Sequence, residues 1–106
     1  MADTIIEKWY LVDLQTEGNN IGQVLWGIVV DDRKGRWVSG NFVCTSPVVE
    51  RLDNRLYRTR NSEYLCQGEG QEVTLPAEAL IELRTGYSPD EFLARESLRE
   101  SGFQVR

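Results

Sequence analysis

The sequence predicts an α+β fold: a strongly twisted antiparallel sheet or partial barrel of five to seven strands, followed by two C-terminal helices. Three observations predict it. Apolar runs of strand length, punctuated by Gly, Pro, Asn and Asp, occupy residues 7–75. At Pro76 the apolar spacing changes from the strand period to the helical one. Then Ser88-Pro89-Asp90-Glu91 supplies an N-cap serine, a proline at the first helical position and a glutamate three residues after the cap, which together make a capping box. With 106 residues the chain is read as one domain, 1–106.

The elements follow in order. Trp9 to Leu14 is rich in aromatic and branched residues and reads as a strand. Val24 to Val30 carries Val24, Trp26, Ile28 and Val30 on one parity and Leu25 and Val29 on the other, so both faces are apolar and the strand should be central, with Trp26 in the core. Asp31 to Gly35 is a turn, and Trp37 to Thr45 is its returning strand, in which Gly40 marks a bulge or a close backbone approach. Pro47 interrupts that strand. Val48 to Leu52 and Arg55 to Thr59 form a hairpin around Asp53-Asn54, Glu63 to Gln67 is another strand, Gly68-Glu69-Gly70 a flexible hinge, and Glu72 to Leu75 a last strand. A helix over about 76–85 uses Ala77, Leu80, Ile81 and Arg84 as its stripe and is capped by Gly86. The second, about 89–101, has the thin stripe Phe92, Leu93 and Leu98, pairs Glu91 with Arg95, and ends at Gly102.

Composition mostly excludes. There are 17 acids, 12 bases and no histidine, for a net charge of −5. The missing imidazole removes Ser-His and Cys-His nucleophile pairs and most zinc sites, and the two lysines, Lys8 and Lys34, stand near exposed ends. Asp31 and Asp32 are turn residues, and Glu69 inside Gly-x-Gly would repel a phosphate. The expectation is therefore a non-enzyme without cofactor or metal. The longest uncharged stretches, Gly18 to Val30 and Trp37 to Val49, have 13 residues each, too short to cross a bilayer, and the N-terminus lacks the basic start of a secretory signal. Cys44 and Cys66 read as small buried hydrophobes, which with the foregoing places the chain in the cytoplasm.

Charge is segregated along the chain. Residues 33–60 hold seven bases and two acids, whereas both flanking segments are net acidic. Arg51, Arg55, Tyr57, Arg58 and Arg60 form the densest group and are the candidate partner-binding residues. Arg58 and Arg60 should share one strand face, with Arg55 and Tyr57 on the other. Arginine suits bidentate contact with carboxylate or phosphate and stacking on aromatic rings, and the hairpin should meet an acidic surface, either of a partner protein or of the chain's own C-terminal helix.

The order Trp26 to Asp31, Gly35-Arg36-Trp37, Gly40 to Val43, Thr45 to Val49 and Tyr57 to Leu65, ending in Gly68-Glu69-Gly70, resembles a family of small uncharacterised proteins of pseudomonads and their phages. The resemblance spans about Trp26 to Pro76 and departs at Glu63 and Cys66-Gln67, where that family's pattern is apolar. It implies an accessory or mobile-element context and no activity of its own. Two functions follow. One is a small protein that binds and blocks another protein, such as an inhibitor, immunity or anti-defence factor. The alternative is a nucleic-acid or nucleotide-binding regulator that uses the basic hairpin.

Overall fold

A computed structural model describes residues 2–100. Seven strands, β1 (Thr4–Thr16), β2 (Asn19–Asp32), β3 (Phe42–Cys44), β4 (Val48–Asp53), β5 (Leu56–Thr59), β6 (Glu63–Cys66) and β7 (Gln71–Pro76), precede α1 (Ala79–Arg84) and α2 (Pro89–Glu100). This is the α+β class of the sequence reading. The sheet order is β3-β2-β1-β6-β5-β4, with β7 also on β1. Most pairs are antiparallel, but β1 runs parallel to β6 through Thr4–Ile6 and parallel to β7 through Tyr10–Gln15, so the sheet is mixed. The ends of the sheet, β3 and β4, are consecutive in the chain and separated by residues 45–47, which forces the sheet to curl toward itself without closing.

The spine is the β1–β2 hairpin. It turns on Glu17-Gly18, both at positive φ (50° and 81°), the two-residue geometry whose twist matches the flanking strands. One irregularity in β1 shapes everything around it. Lys8 has φ 50°, and Lys8 and Trp9 together stand opposite Gly27 between the pairs Glu7–Ile28 and Tyr10–Trp26. This bulge inserts one residue and reverses the side-chain parity. Ile6 therefore shares a face with Trp9 and Leu11, although the strand period alone would separate them.

Two apolar clusters result, one on each face of the β1–β2 spine. Inside the curl lie Ile6, Trp9, Leu11, Leu25, Val29, Val43, Tyr57, Tyr64 and Cys66. On the opposite face Val12, Leu14, Val24, Trp26 and Leu75 meet Ala79, Leu83 and Phe92 of the helices. The two-sided apolarity of Val24 to Val30 is thus spent on two different cores, and β2 lies between β1 and β3.

Several boundaries differ from the sequence reading. The return strand covers only Phe42–Cys44, because residues 33–41 form a loop whose backbone is held by Asp32. Gly40, at φ 94°, lies in this loop, and no strand bulge is involved. The β4–β5 turn is Asn54-Arg55, one residue later than expected, because Asp53 pairs with Leu56. Pro76 closes β7, so α1 starts only at Ala79 and buries Ala79 and Leu83, while Ile81 is left largely exposed.

Among the described residues α2 matches its signature. Ser88 Oγ accepts the Glu91 N–H at 3.1 Å and Glu91 Oε1 accepts the Ser88 N–H at 3.0 Å, the reciprocal capping box. Glu91 is thereby used at the cap, and Arg95 turns instead to Glu82 at 3.2 Å and over the Tyr87 ring. The Tyr10 hydroxyl donates to Asp90 Oδ2 at 2.8 Å and fixes the helix start to β1, and burial together with that carboxylate pushes the phenol up to about 12. Of the expected stripe, Phe92 is buried, whereas Leu93 and Leu98 are exposed. The expected end at Ser101 and Gly102 lies outside the described residues. Ser88→Ala should lower stability by about 1 kcal/mol and Ser88→Gly by less, read as a shift of the thermal midpoint.

Candidate functional site

The basic hairpin stands at one end of the sheet. Its register sets Glu50 opposite Arg58 and Arg51 opposite Tyr57. β5 alternates as a strand must, with Tyr57 and Thr59 directed inward and Arg58 outward. Tyr57 is only 1% exposed and is a core residue, so it does not belong to a binding surface; burial also raises its phenol pKa, and its ring packs on Trp9 at 5.9 Å. Arg51 lies exposed on β4, with its guanidinium 5.6 Å from the Tyr57 ring centre. Arg58 pairs with Glu50, both side chains about half exposed. An exposed pair of this kind contributes under about 1 kcal/mol and can be given up to a competing carboxylate.

Arg55 and Arg60 are not placed as the strand period implied. β5 spans only Leu56–Thr59, so Arg55 belongs to the turn before it and Arg60 to the bend after it. Both are exposed, and among the described residues neither guanidinium has an ion-pair or hydrogen-bond partner. Arg60 borders a groove of about 430 Å³ shared with Ser46, Pro47, Val49 and Asn61, in which Val49 is 58% exposed. Asn61 Nδ2 donates to Ser46 Oγ at 3.0 Å and ties the two walls together.

The remaining basic residues of the central segment are engaged internally. Asp32, assigned to a turn by sequence, is the hub. Its carboxylate accepts the Thr4 hydroxyl at 2.9 Å, the backbone N–H groups of Arg36 at 2.6 Å and Trp37 at 3.1 Å, and the Arg36 guanidinium at 3.3 Å. Arg36 continues to Ser62 Oγ at 2.7 Å, and Lys34 Nζ reaches the Asn61 carbonyl at 2.6 Å. The loop after β2 is thus bound to the bend after β5. Burial alone would raise the Asp32 pKa, but the Arg36 guanidinium, the Thr4 hydroxyl and the two backbone donors outweigh it and hold the carboxyl well below the carboxylate range. A depressed carboxyl stabilises the fold above its ordinary value of 3.8 and loses that contribution as the pH falls below it. Asp32→Asn should therefore cost about 2 kcal/mol at neutral pH. It should also flatten the decline in stability from pH 4 downward, as measured by urea denaturation across that range.

Among the described residues no carboxylate of α1 or α2 pairs with a hairpin arginine. Glu82 is taken by Arg95 at 3.2 Å and Arg99 at 3.7 Å, and Arg99 also pairs with Glu96. The cysteines are free and lie in different clusters, Cys66 inside the curl and Cys44 against the helix-side core; burial pushes their thiols up to about 12 and 11. Among the described residues no three His, Cys, Asp or Glu side chains converge to hold a metal ion, and no helix is long and apolar enough to cross a membrane.

The fold and this surface together define a small α+β domain with an arginine-bearing edge hairpin and two apolar cores. Residues 1–82 match the family model described as Domain of unknown function (DUF6957), and the chain belongs to that family. The match includes the stretch Trp26 to Pro76 on which the resemblance rested and ends within α1. No curated protein and no solved structure matches the chain.

Proposed function

We propose that this protein is a small accessory protein that acts by binding, with its β4–β5 hairpin occupying an acidic surface of a partner protein. The observation that supports this reading is that, among the described residues, the Arg55 and Arg60 guanidinium groups have no partner while Lys34, Arg36 and Arg58 are engaged within the chain. These two guanidinium groups flank a four-residue strand, about 16 Å apart along it, each offering a bidentate fork to a carboxylate. The groove beside Arg60 adds an apolar seat at Pro47 and Val49. Such occupancy is how a blocking factor, whether inhibitor, immunity or anti-defence protein, would work. Glu50 and Asp53 stand on the same hairpin, which suits a carboxylate-bearing protein better than a continuous phosphate track.

The double variant Arg55→Glu/Arg60→Glu tests it. Exposed substitutions away from packed features change stability by under about 0.5 kcal/mol, so the variant should fold as the wild type does. A stoichiometric, salt-sensitive protein captured by the wild type should be lost at least tenfold. Undiminished capture overturns the reading. A salt-dependent shift of DNA or RNA, abolished by the same variant, would assign the hairpin to nucleic acid instead.

A further inference from the structure

A second surface lies at the other end of the sheet. β3 is the shortest strand and is bonded on one side only, to β2. The antiparallel ladder decides which of its backbone groups are used. Val29 N–H bonds the Asn41 carbonyl at 2.8 Å, Thr45 N–H bonds the Leu25 carbonyl at 2.9 Å, and Gly27 stands opposite Val43 between them. Positions 41, 43 and 45 therefore face β2, and Phe42 and Cys44 turn their N–H and C=O groups away from it. Among the described residues these four groups have no hydrogen-bond partner. They open onto a groove of about 480 Å³ lined by Trp37, Asn41, Phe42, Val43, Cys44 and Arg84.

We propose that the free edge of β3 takes an extended segment of a partner protein, added as a strand beside Phe42–Cys44, with an acidic side chain of that segment paired to Arg84. The backbone groups set the conformation, because two donors and two acceptors alternating along an edge are matched only by another extended chain. The side chains set the sequence. Arg84 is exposed in the last turn of α1, and among the described residues no carboxylate lies within 4 Å of its guanidinium, so charge complementarity selects an acid. Trp37 packs toward the cluster inside the curl, whereas Phe42 and Cys44 pack on the helix side. Successive residues of an added strand point to opposite faces, so the acid that meets Arg84 should be adjacent to an apolar residue that meets Trp37. Loop 33–41 borders the groove through Trp37 and Asn41, and it is anchored at Lys34, Arg36 and Trp37 by Asn61, Ser62 and Asp32. The site is independent of the hairpin reading and can stand or fall apart from it.

The probe is a library of random ten-residue peptides displayed on phage and selected on the full chain. Enriched peptides should carry Asp or Glu beside an apolar residue. A synthetic copy of an enriched peptide should slow amide hydrogen exchange of Phe42 and Cys44 at least tenfold, since these edge amides exchange freely otherwise. Its affinity should fall at least tenfold on Arg84→Glu and should be unaffected by Arg55→Glu/Arg60→Glu. Failure to enrich, or protection confined to other amides, overturns the proposal. Protection of Phe42 and Cys44 that grows with protein concentration in the absence of peptide, together with sedimentation at twice the monomer mass, also overturns it and assigns the edge to a second copy of this chain.

Discussion

Trp26→Ala should lower the stability of the protein by about 3–5 kcal/mol, a large share of the total for a domain of this size. The side chain is 6% exposed and sits mid-way along β2 on the helix side. Its ring stacks on Phe42 at 6.1 Å and takes the edge of Tyr10 at 6.0 Å. Its indole N–H donates to the Leu83 carbonyl at 3.3 Å, close to the end of α1. One residue thus joins β1, β2, β3 and α1. Truncation leaves a cavity walled by rigid rings, with little freedom to collapse, and removes the donor to Leu83. The loss should appear as a lower urea midpoint at unchanged slope, and Trp26→Phe should recover part of it. A loss under about 1 kcal/mol would show that the helices are held on the sheet by other contacts.

What was legible in the sequence was what periodicity and local chemistry encode. Val24 to Val30 announced a strand with two apolar faces, and Ser88 to Glu91 announced a helix start; both are local patterns read from adjacent residues. What was hidden depends on where the chain returns. The parallel pairing of β6 and β7 with successive halves of β1 leaves no mark on those strands, since a strand looks the same whichever way its neighbour runs. The role of Asp32 needed Thr4, 28 residues away, and Ser62, reached through Arg36. The candidate site was half legible. Arginine clustering pointed to the hairpin, but a one-residue shift of the turn took Arg55 out of the strand, and Tyr57 turned into the core. One signal for the β1–β2 turn does stand in the sequence. Glu17-Gly18 carries the glycine of a two-residue hairpin, although Asn-Gly or Asp-Gly would have been stronger. At the bulge the sequence shows only Glu7-Lys8 between apolar neighbours, and a lysine at positive φ gives no sign of itself.

Gly70→Ala should cost about 3 kcal/mol, a large effect for a single methyl group in a loop. The sequence suggested that Gly68-Glu69-Gly70 is a hinge, and the structure gives its two glycines different tasks. Gly68 is at φ 74° and is required by conformation. Gly70 is required by space: a methyl group there would lie 2.3 Å from Trp9 Cε2 and 2.4 Å from Cδ2, inside any real contact distance. The indole cannot step aside cheaply. Its N–H is bonded to the Gly68 carbonyl at 3.2 Å, its ring packs on Tyr57, and the bulge at Lys8 fixes the direction from which it enters the core. The variant must therefore move the loop away, breaking the Trp9 to Gly68 bond, or push the ring out of the cluster inside the curl. Either outcome opens the core beside Tyr57 and should red-shift the tryptophan emission as the melting temperature falls. Gly68→Asn provides the contrast. Asparagine tolerates the left-handed region, and no atom lies within 4 Å of a Cβ at that position, so its cost should stay near 1 kcal/mol with unchanged emission. Equal losses for the two variants would mean that the loop is limited by backbone conformation at both glycines, and the account of Gly70 as the seat of Trp9 would fail.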